Sequence, residues 1–119
     1  MFRYPWQLPV RLAACVEHHQ VAEAHRDLDE VLAIIGGERS GGLMLRKLRC
    51  AQVITLCTRG ALQGGAPSSA LVEDSLRILR QVGRQRTWKA LCALMHGYEI
   101  GRAHVLTPVT SASRMPSSA

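Results

Sequence analysis

Apolar side chains recur at steps of three and four along most of the chain, the period that lines one face of an α-helix. In the clearest stretch Val21, Ala24, Leu28, Val31 with Leu32, and Ile35 fall on one face, while Glu23, Arg26, Asp27 and Glu30 fall on the other. Arg26 and Glu30 stand at i,i+4 and are expected to pair, and Gly36-Gly37 closes this amphipathic helix. Ahead of it, Leu8, Leu12 and Cys15 with Val16 mark a shorter helix. Pro5 suits its first position, Pro9 either kinks its first turns or delays its start, and His18-His19-Gln20 breaks the chain after it.

A Gly/Ser-rich loop over 38–42 leads into residues 43–63, apolar nearly all round in their middle. The β-branched run from Cys50 to Cys57 also suits a buried strand, but the length of the segment and its flanks of Arg46, Lys47, Arg49 and Arg59 favour a central helix covered by the others. Gly64-Gly65 stops it, and Ala66-Pro67-Ser68-Ser69 turns the chain and offers a serine N-cap. Leu71, Val72, Ser75 with Leu76, Leu79 and Val82 form the expected buried stripe of a fourth helix that ends near Gly83. Thr87 caps a fifth, with Leu91, Cys92, Leu94 and Met95 on its apolar side. The pattern predicts an all-α fold, a compact bundle of about five helices with a disordered C-terminal tail.

That tail, residues 99–119, differs in kind from what precedes it. Back-translated, the stretch from Ile100 to Val105 fits ATC GGA AGA GCA CAC GTC, that from Thr107 to Thr110 fits ACT CCA GTC AC, and that from Ser113 onward fits TCT CGT ATG CCG TCT TCT GCT. These blocks resemble one reading frame of a short-read sequencing adapter, with Ser111 and Ala112 where a variable index falls and Leu106 where the adapter has a stop codon. Residues 1–98 are therefore expected to form the domain, and 99–119 to be non-native.

The chain carries a formal charge of +6, and setting aside Arg102, Arg114 and Glu99 leaves 13 basic and 8 acidic side chains. Such a balance suits nucleic acid as well as an ordinary protein surface. With neither a leader-like N-terminus nor a long apolar run, a cytoplasmic protein is expected, with no membrane partner. Cys15, Cys50, Cys57 and Cys92 lie far apart inside apolar stretches, which predicts reduced, buried thiols and no metal or redox site. His18 and His19 are adjacent in a polar turn, and His25 and His96 lack a ligand partner at helical spacing.

Glycine loops of phosphate-binding form, G-x-S-x-G and paired carboxylates facing a histidine are all missing, and Asp27, Asp29 and Glu30 are read as a solvated acidic face. A protein without enzymatic activity or cofactor is expected. Arg77, Arg80 and Arg84, at i, i+3 and i+7, share a helical face that could make weak phosphate contacts. Glu73 at i,i+4 to Arg77, with Asp74 beside it, equally predicts a salt-bridged surface. The fourth and fifth helices make a poor helix-turn-helix, because the fifth opens with Trp88-Lys89-Ala90-Leu91 and offers little beyond Lys89 to reach base edges.

The central segment resembles a helix of AraC/XylS-type bacterial transcription regulators. It has a charged start, Leu45-Arg46-Lys47-Leu48-Arg49, an aliphatic middle, and an end in which Thr58-Arg59-Gly60-Ala61 and Gln63-Gly64-Gly65-Ala66 stand where the family has Ser-Arg-Ala-Ala and Glu-Gly-Gly-Ala. Tyr4-Pro5-Trp6-Gln7-Leu8 resembles the opening of the same region, 22–32 its second helix, and Thr87 with Leu91-Cys92 its last. Arg59, Ala61, Gly64, Gly65 and Ala66 are the motif positions. Pro9, His18-His19 and Gly60 depart from the family pattern, Gly60 at a cost of about 1 kcal/mol relative to alanine inside a helix. The resemblance implies a connector between a sensor domain, often PocR-like, and a helix-turn-helix domain that reads DNA. It also implies that these two domains of a parent regulator are the partners, that a homodimer contact is possible, and that DNA is bound only through the missing domain. Two other readings stand beside it: a stand-alone helical protein-interaction module, which requires an exposed apolar groove, and a small non-specific nucleic-acid-binding protein, which requires an unpaired arginine face.

Overall fold

The computed structural model describes residues 3–38 and 40–105, with the backbone alone for 99–105. Among the described residues five helices follow one another: α1 (Gln7–Glu17), α2 (Val21–Gly37), α3 (Gly42–Gln63), α4 (Ser68–Arg84) and α5 (Trp88–Val105). The chain is thus all-α, as its periodicity predicts, and no strand occurs among the described residues. The β-branched run from Cys50 to Cys57 is helical, its inward positions Cys50, Val53, Ile54 and Cys57 falling on one side of α3. Helix α3 packs mainly on α1 and α4, while α2 lies against α1 and α5. Between them lies a core that includes Leu12, Leu28, Ile35, Ile54, Leu71, Leu91 and Met95, all essentially inaccessible to solvent. The backbone of α5 carries on through residues 99–105, and the remainder of the adapter-like tail lies outside the described residues.

Helices α1 and α3 approach each other closely, and two glycines permit it. A Cβ on Gly60 would lie 2.4 Å from the carbonyl oxygen of Ala13, and one on Gly64 would lie 2.6 Å from that of Glu17. Partners four residues apart in the same order on both helices mean that α1 and α3 run in the same direction here. Gly60 is therefore no mere loss of helix propensity: any side chain at that position would drive the two backbones apart. Both helices then end in the same way. Gln20 and His19 donate to the carbonyls of Cys15 and Val16, and Ala66 and Gly65 donate to those of Ala61 and Leu62, the paired bonds of a Schellman cap. The left-handed residue this cap requires is Gly65 (φ 102°) after α3, but His19 (φ 59°) after α1. The two adjacent glycines thus answer separate demands, Gly64 a close approach and Gly65 a positive φ.

Several expectations change in detail. Helix α1 starts late, at Gln7, so that Pro9 lies in its first turn, where an amide N–H would have no intrahelical acceptor. Pro67, and no serine, occupies the N-cap of α4, whereas Thr87 does cap α5, its Oγ1 accepting from the amide of Ala90 at 3.1 Å. Asp27 is no part of a solvated acidic face. It is buried, accepts from Arg11 at 3.1 Å and from the Cys15 thiol at 3.5 Å, and ties α1 to α2. Glu30 pairs with Arg11 at 3.0 Å in place of Arg26, because the guanidinium of α1 reaches both carboxylates at once.

The basic start of α3, which opposes its own helix dipole, is used to hold neighbouring elements. Arg46 donates to the carbonyl of Gly36 near the C-terminus of α2 (2.6 Å) and lies over the ring of Trp88, while Lys47 donates to that of Gly83 near the C-terminus of α4 (2.8 Å). Gly36 is small for a reason of its own, since a Cβ there would come within 2.8 Å of the Trp88 indole nitrogen. Deeper in, Thr58 links three helices, lying 2.7 Å from the Ser75 hydroxyl of α4 and 3.3 Å from the Tyr98 hydroxyl of α5.

Cys15, Cys50 and Cys57 are buried and Cys92 is half-buried, and none of the four is in a disulfide. Burial pushes the Cys15 thiol up to about 11, aided by the neighbouring Asp27, and pushes Cys50 up to about 12.

Two predictions follow from this packing. Gly60→Ala, which propensity alone would make stabilising by about 1 kcal/mol, and Gly64→Ala at the C-cap should each destabilise by about 2 kcal/mol or more in urea melts, because the obstacle is a backbone oxygen that no rotamer change can move. A folded-state thiol pKa above the unfolded value of 9.0 means that Cys15 and Cys50 contribute their full stability below pH 9 and lose it as pH climbs towards 11 and 12. The urea midpoint should therefore fall on the alkaline side of pH 9, and Cys50→Ala, which removes one of the two thiols, should flatten that fall.

Candidate docking face

Flanked by α1 and α4, α3 is left without a helix over its outward side. Met44 (77% accessible), Leu48, Thr55 and Leu62 recur there on one exposed stripe. The expected fully covered central helix is thus covered on its inner and lateral faces only. Helix α1 adds Trp6 and Val10 at one edge of the stripe, and α4 adds Val72 (46%) and Leu76 (48%) at the other. Of the eight exposed large apolar residues among the described residues, all but Val21 lie on or at the start of these three helices. An apolar surface gathered on one face in this way makes it the candidate for a site of interaction.

The face has relief. An open depression of about 480 Å³ is lined by Trp6, Val10, Ala51, Gln52, Thr55, Leu56 and Leu79, and a smaller one of about 170 Å³ continues between α3 and α4 past Thr58, Val72 and Leu76. A third, of about 360 Å³, runs along the α1–α3 seam by Ala13, Glu17, Gly60 and Gln63. Trp6 is held in position although half its surface is open. Its ring meets Tyr4 edge-on at 4.8 Å, the Arg49 guanidinium lies 5.4 Å from its centroid and 4.0 Å from that of Tyr4, and Glu38 binds Arg49 at 3.2 Å. A ring fixed in this way loses little freedom when a partner covers it.

The sequence-predicted positions divide around this face. Arg59 is exposed beside the α1–α3 seam, Ala61 is fully buried beneath it, and Gly64, Gly65 and Ala66 form the adjoining turn. Arg77, Arg80 and Arg84 lie together on the outer side of α4, as their spacing requires. Arg77, however, is bonded to Asp74 at i,i+3 and not to Glu73. A cleft beside these residues is lined by Glu73 and Asp74 as well as by Arg77 and Arg80, so this face of α4 is of mixed charge.

Sequence reasoning missed Val72 and Leu76 as surface residues. The stripe it placed in the core is turned towards α3 and α5: Leu71, Ser75, Ile78 and Val82 are the buried positions. The available signal was Ser75 amid apolar neighbours, since a buried serine needs partners, and here Thr58 of α3 provides one.

No described helix is long and apolar enough to cross a membrane, and among the described residues no three His, Cys, Asp or Glu side chains gather as metal ligands. Compared with known proteins, the chain matches no family model, no curated protein and no solved structure.

The placement of α4 is checked by a pair of substitutions: Leu76→Gln should change folding stability by no more than about 0.5 kcal/mol, whereas Ile78→Ala should cost about 2–4 kcal/mol. Equal losses at the two positions in chemical denaturation would restore the stripe read from the sequence.

Proposed function

We propose that the bundle is a helical connector of an AraC/XylS-type bacterial transcription regulator, a cytoplasmic binding module without catalysis of its own. In this reading a ligand-sensing domain and a helix-turn-helix domain of the parent protein are its partners, and DNA is read by the latter. The observation that carries it is where the family-like residues fall: Arg59 and Ala61 in the last turns of α3 and Gly64, Gly65 and Ala66 in the turn that follows, where Gly60 and Gly64 press against α1 beside an open apolar face. A connector requires such a joint. Two helices whose backbones touch move as one body, so a displacement imposed on α1 passes to α3 and to the turn that follows it. The apolar face provides a surface on which a neighbouring domain docks.

That same face also favours a stand-alone protein-interaction module as the second reading. The nucleic-acid reading is weaker, because Arg77 is engaged by Asp74 and Glu73 lies among the arginines.

Reading the genomic locus beyond the codon for Tyr98, with libraries that use different adapters, tests the proposal. A frame that continues into two helix-turn-helix units supports the connector. The same tail followed by a stop codon in every library rejects it in favour of the free-standing module. In the full-length regulator, Gly60→Leu should lower ligand-dependent activation of a reporter at least about tenfold at equal protein level, a loss of coupling of about 1.4 kcal/mol.

A further inference from the structure

We infer that the face formed by α1, α3 and α4 is a self-association surface, on which a second copy of this chain packs about a two-fold axis with the two α4 helices antiparallel. The inference rests on the face and its charges and does not depend on the regulator reading.

The first support is the composition of the face. Trp6, Val10, Leu48, Leu62, Val72 and Leu76 are exposed on one side of the molecule, and the floor between them is Ala51, Gln52, Thr55 and Leu56, without a charged group. Such a surface fits a partner that is equally apolar at the centre, and a second copy supplies one by symmetry.

The second support is the order of charges along the rim and decides the orientation. On the outer strip of α4, next to Leu76, Glu73 comes first and Arg80 and Arg84 follow at i+7 and i+11. None of the three makes an ion pair with another described residue, whereas Arg77 is already bound by Asp74. Two α4 helices laid side by side in parallel would set arginine against arginine. Laid antiparallel, they bring Glu73 of each copy beside Arg80 and Arg84 of the other, twice over by symmetry. The Thr58–Ser75 bond fixes the relative height of α3 and α4, so an axis passing α4 near Arg77 passes α3 near Thr55. Leu48 of one copy then lies towards Leu62 of the other, along two α3 stripes that are also antiparallel.

The test is sedimentation equilibrium of the whole 119-residue chain from micromolar to millimolar concentration, with helicity and melting temperature measured for every variant. A concentration-dependent dimer is expected. Leu76→Asp should raise its dissociation constant at least about tenfold, while Val21→Asp, at the exposed apolar residue outside the face, should leave it unchanged. E73R alone, and R80E with R84E, should each weaken the dimer about fivefold or more, and the three changes together should bring it back to within about twofold of the unaltered chain. All these positions are exposed, so the fold should persist in each. A chain that stays monomeric throughout overturns the proposal and assigns the face to another partner. A dimer indifferent to Leu76→Asp, or charge reversals that do not rescue one another in folded variants, overturn it as well.

Discussion

Everything in this bundle is referred to one contact, the backbone of α3 lying against that of α1 at Gly60 and Gly64. Helix pairs ordinarily keep their axes 8–10 Å apart because side chains stand between them. Here the carbonyls of Ala13 and Glu17 occupy the space that two Cβ atoms would take. The contact tolerates no substitution by rotamer change, since neither a backbone oxygen nor a Cβ can turn aside. It also fixes register: glycines four apart meet carbonyls four apart, and a slide by one residue would put Ala61 or Gln63 where no side chain fits. The caps that end both helices next to this joint satisfy carbonyls that would otherwise be left open, so the seam is finished at its end as well as along its length.

From that constraint the uneven covering of α3 follows. With α1 drawn in on one side and α4 held on the other by Lys47 and by the Thr58–Ser75 bond, the inner side of α3 is filled by α5 and the outer side faces solvent. The apolar residues there are not surplus core: Leu48 and Thr55 lie on the far side of the helix from Cys50, Val53, Ile54 and Cys57, and no rotation of α3 could bury both sets while keeping Gly60 against Ala13. Arg46, Lys47 and Arg49 act in the same direction. Each is drawn laterally, to the end of α2, to the end of α4 and to the Tyr4–Trp6 pair, which keeps positive charge off the middle of the face.

How far this was legible in the sequence depends on the kind of physics involved. Helix number, order and approximate limits came through, because burial periodicity and glycine punctuation are local signals: Val21 to Ile35 and the Gly64-Gly65 stop are both where the pattern puts them. What failed was the choice between near-equivalent faces. On α4, the sets built on Val72 and Leu76 or on Ile78 differ by a modest rotation, and the decision belongs to Thr58 on another helix. Asp27 was read as solvated because nothing within α2 shows that Arg11 and Cys15 lie opposite it. Gly60 was weighed by its propensity cost alone, since a close approach is invisible until the partner helix is known. The apolar face beside Arg59 and Gly64 was not legible, because an apolar residue carries no mark of which side of a bundle will be left open.

A face of this kind differs from an incompletely folded surface in how it is held. An exposed aromatic is ordinarily free to turn, and covering it then costs rotamer entropy, whereas Trp6 is braced by Tyr4 and by an Arg49 that Glu38 anchors in turn. The helix beneath is fixed by the glycine joint, and the depression between them has rigid walls on both sides. Pre-organisation of this sort lowers the cost of association. The strictest geometric demand of the fold, two backbones in contact, thus holds apolar side chains at the surface, and it is there that an account of function has to begin.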